Sequence, residues 1–389
     1  MQSNKLRMAI RATAAIAVLS VAGQANAVSL NVGDDVEASI YGYARLNMSY
    51  DIDGKRAVST RSGTFTPANE DITGHFGADV QQSRLGVKVK HSSGVAVTVE
   101  GDFRGSGSGL GSLRMRHAYG EYNGFLAGRT WSNYLSFVGN TPTLDFDSLA
   151  GTAGSQDRAE QIRYTTGAMS FSMEDPSTQN LYDSSEMDTG GDPTVLSTGN
   201  RTSMPAFTAR LEDSTGGLGY SAAAVVNEVT ADNGGSVDDS AVGYAVFGAA
   251  KLKLSDMFSV QGAINYTDGA NGYLWRSGSN YYGPSAYMDG GNIETISGYG
   301  GSVGVSMALG GGRSINLGYG MTTLDLDDAV AAGTPSSQAE TNQNILLNYM
   351  WVPVKNVMMG VEYGYLDQET VAGDSTDANR VMFAAQYNF

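Results

Sequence analysis

The sequence predicts an all-β chain, a membrane-spanning barrel of sixteen antiparallel strands, and three observations predict it. Apolar and polar residues alternate with period two over segments of about ten residues, as strands do and helices do not. The connections between segments are by turns very short and very long. The face opposite the apolar one carries Ser, Thr, Gly, Gln, Arg, Lys and Glu. A soluble sandwich needs large apolar side chains on its inner faces, whereas a barrel in a bilayer turns its apolar face to lipid and its polar face to a wet lumen.

Composition narrows the chemistry. The 389 residues include 51 Gly and 21 Tyr but only 8 Pro and no Cys, so no disulfide, cysteine metal site or thiol nucleophile exists. His75, His91 and His117 lack metal-ligand spacing, and no metal or other cofactor is expected. Lys5, Arg7 and Arg11 precede an apolar run from Ala12 to Val21, and Ala25-Asn26-Ala27 is a small-x-small cleavage site. Residues 1–27 therefore read as a cleaved export signal and residues 28–389 as one barrel domain. No later apolar run approaches the ~20 residues of a spanning helix.

The elements follow in order. In the first strand Ala38, Ile40, Ala44, Leu46 and Met48 alternate with Ser39, Tyr41, Tyr43, Arg45, Asn47 and Ser49. A polar loop from Asp51 to Asp79 leads to a second, in which Leu85, Val87 and Val89 oppose Gln82, Arg84, Lys88 and Lys90. Ser92-Ser93-Gly94 turns the chain into Val95, Val97 and Val99, against Thr98, Glu100, Asp102 and Arg104. After the glycine-serine loop 105–109, Leu113, Met115 and Tyr119 oppose Arg114 and Arg116, and the hairpin signal Asn123-Gly124 leads into Leu126, Gly128 and Arg129. The stretch from Trp131 to Ala159 has no clean alternation and is too long for a turn, and a connection of that length is usually functional or else disordered. Strand pattern resumes at Gln161-Ile162-Arg163-Tyr164 and returns through Met169, Phe171 and Met173. An acidic loop, Asp175 to Met204, follows. Four more hairpins centre on Ser214 to Gly217, Ser255-Asp256, Gly310 to Gly312 and Pro353 to Asn356, and Arg380 to Phe389 is the last strand.

An even strand count, with short turns on the periplasmic side and long loops on the extracellular side, is how outer-membrane barrels are built. Tyr119, Tyr122, Phe125, Phe258, Tyr319, Tyr363, Tyr387 and Phe389 lie near segment ends, where aromatic girdles meet the membrane interfaces. The aspartates 232, 238 and 239, and 325, 327 and 328, lack the ordered spacing of a calcium loop and read as solvated acidic loops.

Charge is the functional clue. Residues 28–163 carry 13 Lys and Arg against 15 Asp and Glu, while residues 164–389 carry 8 against 25. By strand phase Arg45, Arg84, Lys88, Lys90, Arg114, Arg116, Arg129 and Arg163 fall on the lumen face. Neighbouring strands would bring such side chains within about 5 Å of one another. A wall of arginine favours anions and can hold a carboxylate bidentately. Asp145 and Asp147 would stand opposite this ladder if their segment folds inward. The same arginines also have Glu100, Asp102, Glu121 and Glu160 as partners, which leaves a non-selective diffusion pore as the alternative. No serine has a nucleophile setting, so no catalytic residue is expected. An adhesive or structural barrel is the remaining class, and no nucleic-acid partner is expected.

Gln82-Ser83-Arg84-Leu85-Gly86, Gly128-Arg129-Thr130-Trp131-Ser132-Asn133, Leu144-Asp145-Phe146 and Gln161-Ile162-Arg163-Tyr164 occur in that order, followed by Asn348-Tyr349-Met350-Trp351-Val352-Pro353 and a closing Tyr387-Asn388-Phe389. In these residues the chain resembles the DcaP-like family of Gram-negative outer-membrane porins. The resemblance implies a homotrimer of 16-stranded barrels, and outer-membrane lipid and lipopolysaccharide are the expected surroundings of such a barrel. It also implies a third extracellular loop folded into the pore, and passage of small anionic solutes such as dicarboxylates past an arginine-lined constriction. Arg84, Arg129 and Arg163 carry over from the family motifs, whereas Arg45, Lys88, Arg114 and Arg116 come from strand phase. Family members often carry a helical segment ahead of the barrel, and here only residues 28–36 precede the first strand.

Overall fold

A computed structural model describes residues 28–53, 73–105, 111–177, 180–187, 193–197, 202–232, 238–279 and 281–389. A stub, β1 (Val28–Gly33), lies antiparallel to the start of β2 (Val36–Asp53). β3 (Thr73–Asp79) and β4 (Arg84–His91) both pair with β2, one beyond the other, and form a single interrupted stave. The wall continues up and down through β5 (Ala96–Gly105), β6 (Ser112–Tyr122), β7 (Phe125–Trp131), β8 (Arg158–Thr166) and β9 (Met169–Glu174). β10 (Asn180–Met187) and β11 (Pro193–Ser197) leave it, and β12 (Ala206–Thr215), β13 (Leu218–Asp232), β14 (Asp238–Lys253) and β15 (Phe258–Asp268) resume it. β16 (Pro284–Asp289) and β17 (Asn292–Thr295) lie off the wall. β18 (Ser297–Gly310), β19 (Arg313–Leu324), β20 (Ala339–Val354), β21 (Val357–Thr370) and β22 (Ser375–Asn388) complete it. With β3 and β4 as one stave there are sixteen, all antiparallel, and β22 pairs with β2 to close the barrel. Closure leaves no open sheet edge to lipid, the condition for strands to cross a bilayer.

The outer face is the apolar one. Leu85, Val87, Val97, Val99, Val303, Val305, Leu317 and Leu347 are exposed on it. Tyr122, Phe125, Tyr164, Phe258 and Tyr387 ring the end that carries the tight turns. That end has the strained geometry such turns require: Asn123 and Gly124 both take positive φ, at 49° and 83°, as a type I′ turn demands.

Several expectations change. Thr73–Asp79, expected in a loop, is a strand, and the acidic stretch 175–204 contains the β10–β11 hairpin. β10 pairs in parallel with β16, so two extracellular connections join in one four-stranded sheet above the barrel. Tyr119 is not a girdle residue: a register shift between Glu100 and Gly101 turns both Arg116 and His117 inward, and Tyr119 follows His117 into the lumen. A bulge cannot be seen in an alternation count, because one extra residue inverts the phase after it. The expected export signal and the loops at 54–72 and 106–110 lie outside the described residues.

Phe389 supports the closure. Its backbone exchanges two hydrogen bonds with Gly42, N–H to oxygen at 3.0 and 3.1 Å, directly beyond the last β2–β22 pair. Deleting Phe389 removes both and leaves the seam shorter. The expected result is a lower yield of heat-modifiable barrel in the outer membrane, read by gel shift of unheated samples. An unchanged yield refutes the role.

Candidate functional site: the barrel lumen

Lumen-facing side chains come from alternate positions of each stave, and those of β2 to β8 include a cluster of arginines set among the carboxylates Glu100 and Asp102. Arg114 holds Asp102 bidentately, Nε to Oδ1 at 3.0 Å and a terminal nitrogen to Oδ2 at 2.7 Å. Arg116, the bulge residue, bridges Glu100 at 2.9 Å and Asp102 at 3.0 Å. Arg84 comes only to 3.8 Å from Glu100 and lies over the rings of Tyr43 and Phe146. Lys88 follows Arg84 in phase, opposite Thr98. Arg163, low on the same wall beside Tyr164, donates to Gln161 and to the Trp131 carbonyl.

Two expected pore residues are placed elsewhere. Arg129 is on the outer face: it is paired with Ala118 and Glu160, in the phase of exposed Ile162 and Phe125, and it holds the Glu160 carboxylate at 2.6 Å outside the barrel. Strand phase led to the expectation that Arg129 faces the lumen, whereas Leu126, Gly128 and Thr130 are the inward set. Arg45 does face inward but is only 2% exposed, its donors spent on Asn47, Gln386 and the Leu144 carbonyl. It anchors a loop and is not open to solute.

Asp145 and Asp147 are likewise buried, not ranged across open lumen from the ladder. Burial, then neighbouring Asp147, pushes the Asp145 carboxyl up, against the opposing pull of Arg276 and Arg380. Both aspartates belong to the connection 132–157, which enters the barrel and lies along its inner wall. Glu362 accepts the backbone N–H groups of Leu144 and Asp145, each at 2.8 Å, and an amide hydrogen of Asn348 at 2.9 Å. Asn344 accepts from Ala150 N–H and donates to the Ser148 carbonyl, while Asn265 brackets Gly151 and Gly154 in the same way. At its entry, Ser132 Oγ and the Asn133 N–H both donate to Glu174, each at 2.6 Å. These are the partners that a loop without secondary structure needs when buried.

The wall is shaped to receive it. Inward positions of β18, β19 and β21 are glycine where the loop passes: a Cβ on Gly320 would stand 2.3 Å from the Ala150 carbonyl oxygen, and one on Gly304 would meet Thr141. A second connection, 269–296, also folds in. Trp275 Nε1 donates to the Asp147 carbonyl at 2.7 Å, Gly151 N–H donates to the Trp275 carbonyl at 3.0 Å, and Arg276 donates to the Ser148 carbonyl.

Sequence reasoning missed Arg158 because the irregular segment was drawn to Ala159, whereas β8 starts at Arg158. Trp131 and Arg158 are the topmost β7–β8 pair and turn inward where the chain leaves the wall. The Arg158 guanidinium sits 4.4 Å from the centre of the Trp131 ring, Arg116 lies 5.6 Å from that centre, and His117 packs edge-on at 5.7 Å. Among the described residues no carboxylate is within ion-pair distance of Arg158, and its Nε is buried without an acceptor.

A closed sixteen-stranded barrel with an apolar belt, tight turns at one end and a loop folded into a charged lumen defines an outer-membrane porin, not an enzyme. The chain belongs to the DcaP outer membrane protein family, whose model matches residues 13–389. It is similar to the outer membrane channel DcaP of Acinetobacter baumannii at 26% identity and a TM-score of 0.78, over 92% of this chain and 99% of that one. The anion-selective porin of Comamonas acidovorans shares the fold at 15% identity and a TM-score of 0.55, over 91% of this chain and 100% of that one. Salmonella typhi OmpF does so at 14% and 0.56, over 93% and 100%. No curated protein matches by sequence. The Gram-negative outer membrane is the location this family membership gives.

Proposed function

We propose that this porin passes small solutes with a preference for anions, dicarboxylates among them, past the β2–β8 wall, and that it works as a homotrimer after cleavage of residues 1–27. The observation that supports anion preference best is the imbalance on that wall. Arg84, Arg114 and Arg116 share two carboxylates, Glu100 and Asp102, and Arg158 stands beside them over the Trp131 ring with no carboxylate at ion-pair distance among the described residues. Arg114 and Arg116 are locked in that network, so Arg158 and Arg84 are the cations left to meet a solute. Aromatic faces hold their planar guanidinium groups without neutralising them.

At an effective dielectric near 20, one charge about 5 Å from a permeating carboxylate contributes roughly 3 kcal/mol before desolvation. Desolvation removes much of that, and a net of about 1 kcal/mol corresponds to roughly a fivefold change in permeability ratio. Arg158→Ala and Arg84→Ala are therefore each expected to move the reversal potential toward cations by about that factor, with the double variant further. Arg313→Ala, in a periplasmic turn, leaves it unchanged. Planar-bilayer recordings in asymmetric chloride and in succinate are the measurement. Wild-type selectivity in the double variant leaves a pore that sieves by size, the reading that the Arg114–Asp102 and Arg116–Glu100 pairs favour.

A further inference from the structure

The extracellular sheet and the pore loop are joined through the connection 269–296, which is braced at its base. Asn271, fully buried, donates to the Pro284 carbonyl at 2.7 Å and to the Ile296 carbonyl at 3.0 Å, and accepts from the Thr267 hydroxyl. Ser277 Oγ donates to the Leu274 carbonyl at 2.8 Å and accepts the Gly283 N–H at 3.1 Å. Leu274 and Ile296 pack with Leu324, Leu326 and Ala329, at and beyond the end of β19. The tip of the connection reaches the pore loop. Trp275 holds the Asp147 carbonyl with its Nε1 and the Gly151 N–H with its own carbonyl, and Arg276 donates to the Ser148 carbonyl at 3.0 Å. Tyr273 packs edge-on against Tyr134, ring centres 5.7 Å apart. Ser148 and Arg276 both take left-handed φ, 54° and 64°, a conformation that residues other than glycine hold only where their surroundings fix it. The contact between the two segments is therefore loaded, and letting go relaxes both residues.

The other end of the connection is the sheet itself. β16 and β17 belong to it, and β16 pairs in parallel with β10, Leu181 opposite Ala286 and Tyr182 opposite Tyr287. The Ser177 N–H, just ahead of β10, donates to the Tyr273 hydroxyl at 3.1 Å, two residues from Trp275. Leu181, Ala286, Met288 and Ile293 close over Val229 and Ala231 at the top of β13, and all six lie outside the pore loop.

We propose that the connection 269–296 is a strut through which the extracellular sheet sets the position of the pore loop, with Trp275 as the positioning residue, so that displacing the sheet from outside widens the passage. Close-packed segments shift between discrete arrangements and do not deform smoothly, so a small displacement at one end of the strut is carried to the other. The strut governs aperture, not charge, and stands apart from the arginines of the β2–β8 wall: a neutral solute reports it as well as an anion does.

The test is a double-variant cycle on the full chain, read as single-channel levels in planar bilayers and as entry of neutral sugars into proteoliposomes. Trp275→Phe keeps an aromatic ring against Tyr281, where the native ring centres are 5.4 Å apart, and removes the N–H given to Asp147, whereas Trp275→Ala removes both. Each should raise the occupancy of a wider conductance level by at least about twofold, the lower end of the coupling carried between linked sites, with Trp275→Ala the larger. Leu181→Ala opens a gap in the sheet and touches no pore-loop contact. It should widen the pore as well, and its effect should be at least halved in the Trp275→Ala background. Heat-modifiability shows that each variant has assembled, and where Trp275→Ala does not assemble the cycle runs on Trp275→Phe. Wild-type occupancy in the Trp275 variants, wild-type occupancy in Leu181→Ala, or an undiminished effect of Leu181→Ala in the Trp275 background each overturns the proposal.

Discussion

Glu362→Ala is expected to loosen the pore loop, raising single-channel conductance several-fold and adding slow current noise. The carboxylate holds two consecutive backbone N–H groups, of Leu144 and Asp145, in a place where Glu362 is only 2% exposed. Removing it strands both donors, at about 1–3 kcal/mol each, and frees the Asn348 amide as well. The loop then has less reason to lie against β20 and β21. Glu362→Gln keeps the shape and one acceptor oxygen but turns an N–H₂ group toward one of the donors, so an intermediate effect is expected. Amide hydrogen exchange at Leu144 and Asp145 supplies the local readout. Wild-type conductance and protection in Glu362→Ala would show that the remaining tethers suffice.

Gly320→Val attacks the same contact from the wall side. The new Cβ would lie 2.3 Å from the Ala150 carbonyl oxygen and 2.7 Å from its nitrogen, both backbone atoms that the Asn344 bond holds in place. Overpacking of this kind costs about 1–3 kcal/mol when neighbours yield. The variant is expected to lose resistance to thermal unfolding in detergent by that amount and to conduct differently, because the loop must move into the passage. Gly248→Ala is the matched control: it lies on the outer face with its nearest neighbour, an Ile264 carbon, at 3.8 Å. Equal melting of the two variants and wild-type conductance in Gly320→Val would mean that the loop does not lie flush.

Much of the wall was legible because a strand with one apolar face repeats with period two, and the short turns announce themselves chemically, as Asn123-Gly124 does. What alternation cannot report is a change of phase. The bulge at Arg116 and His117 moved Tyr119 to the other face, and the inward set of β7 proved to be Leu126, Gly128 and Thr130, which left Arg129 outside. Loop interiors were less legible still. That the stretch from Trp131 to Ala159 was no ordinary turn followed from length and irregularity, but the direction of Asp145 and Asp147 depends on Glu362, Arg276 and Arg380, far along the chain. The inward fold of 269–296 had no local signature, since polar loops in water and polar loops tucked into a wet lumen have the same composition.

The tethers of the pore loop also bear on how fast such a molecule is made. Leu144 finds Glu362 across 218 residues, and the seam that closes the wall joins Arg45 to Gln386 across 341. Loop-closure entropy grows only logarithmically with separation, so contacts this remote burden equilibrium stability little more than near ones do. Folding rate, in contrast, falls steeply as contacts become non-local. The interior that narrows the channel is therefore assembled from the slowest contacts in the chain, and during that interval the unclosed edges of β2 and β22 are both exposed to pairing with other chains.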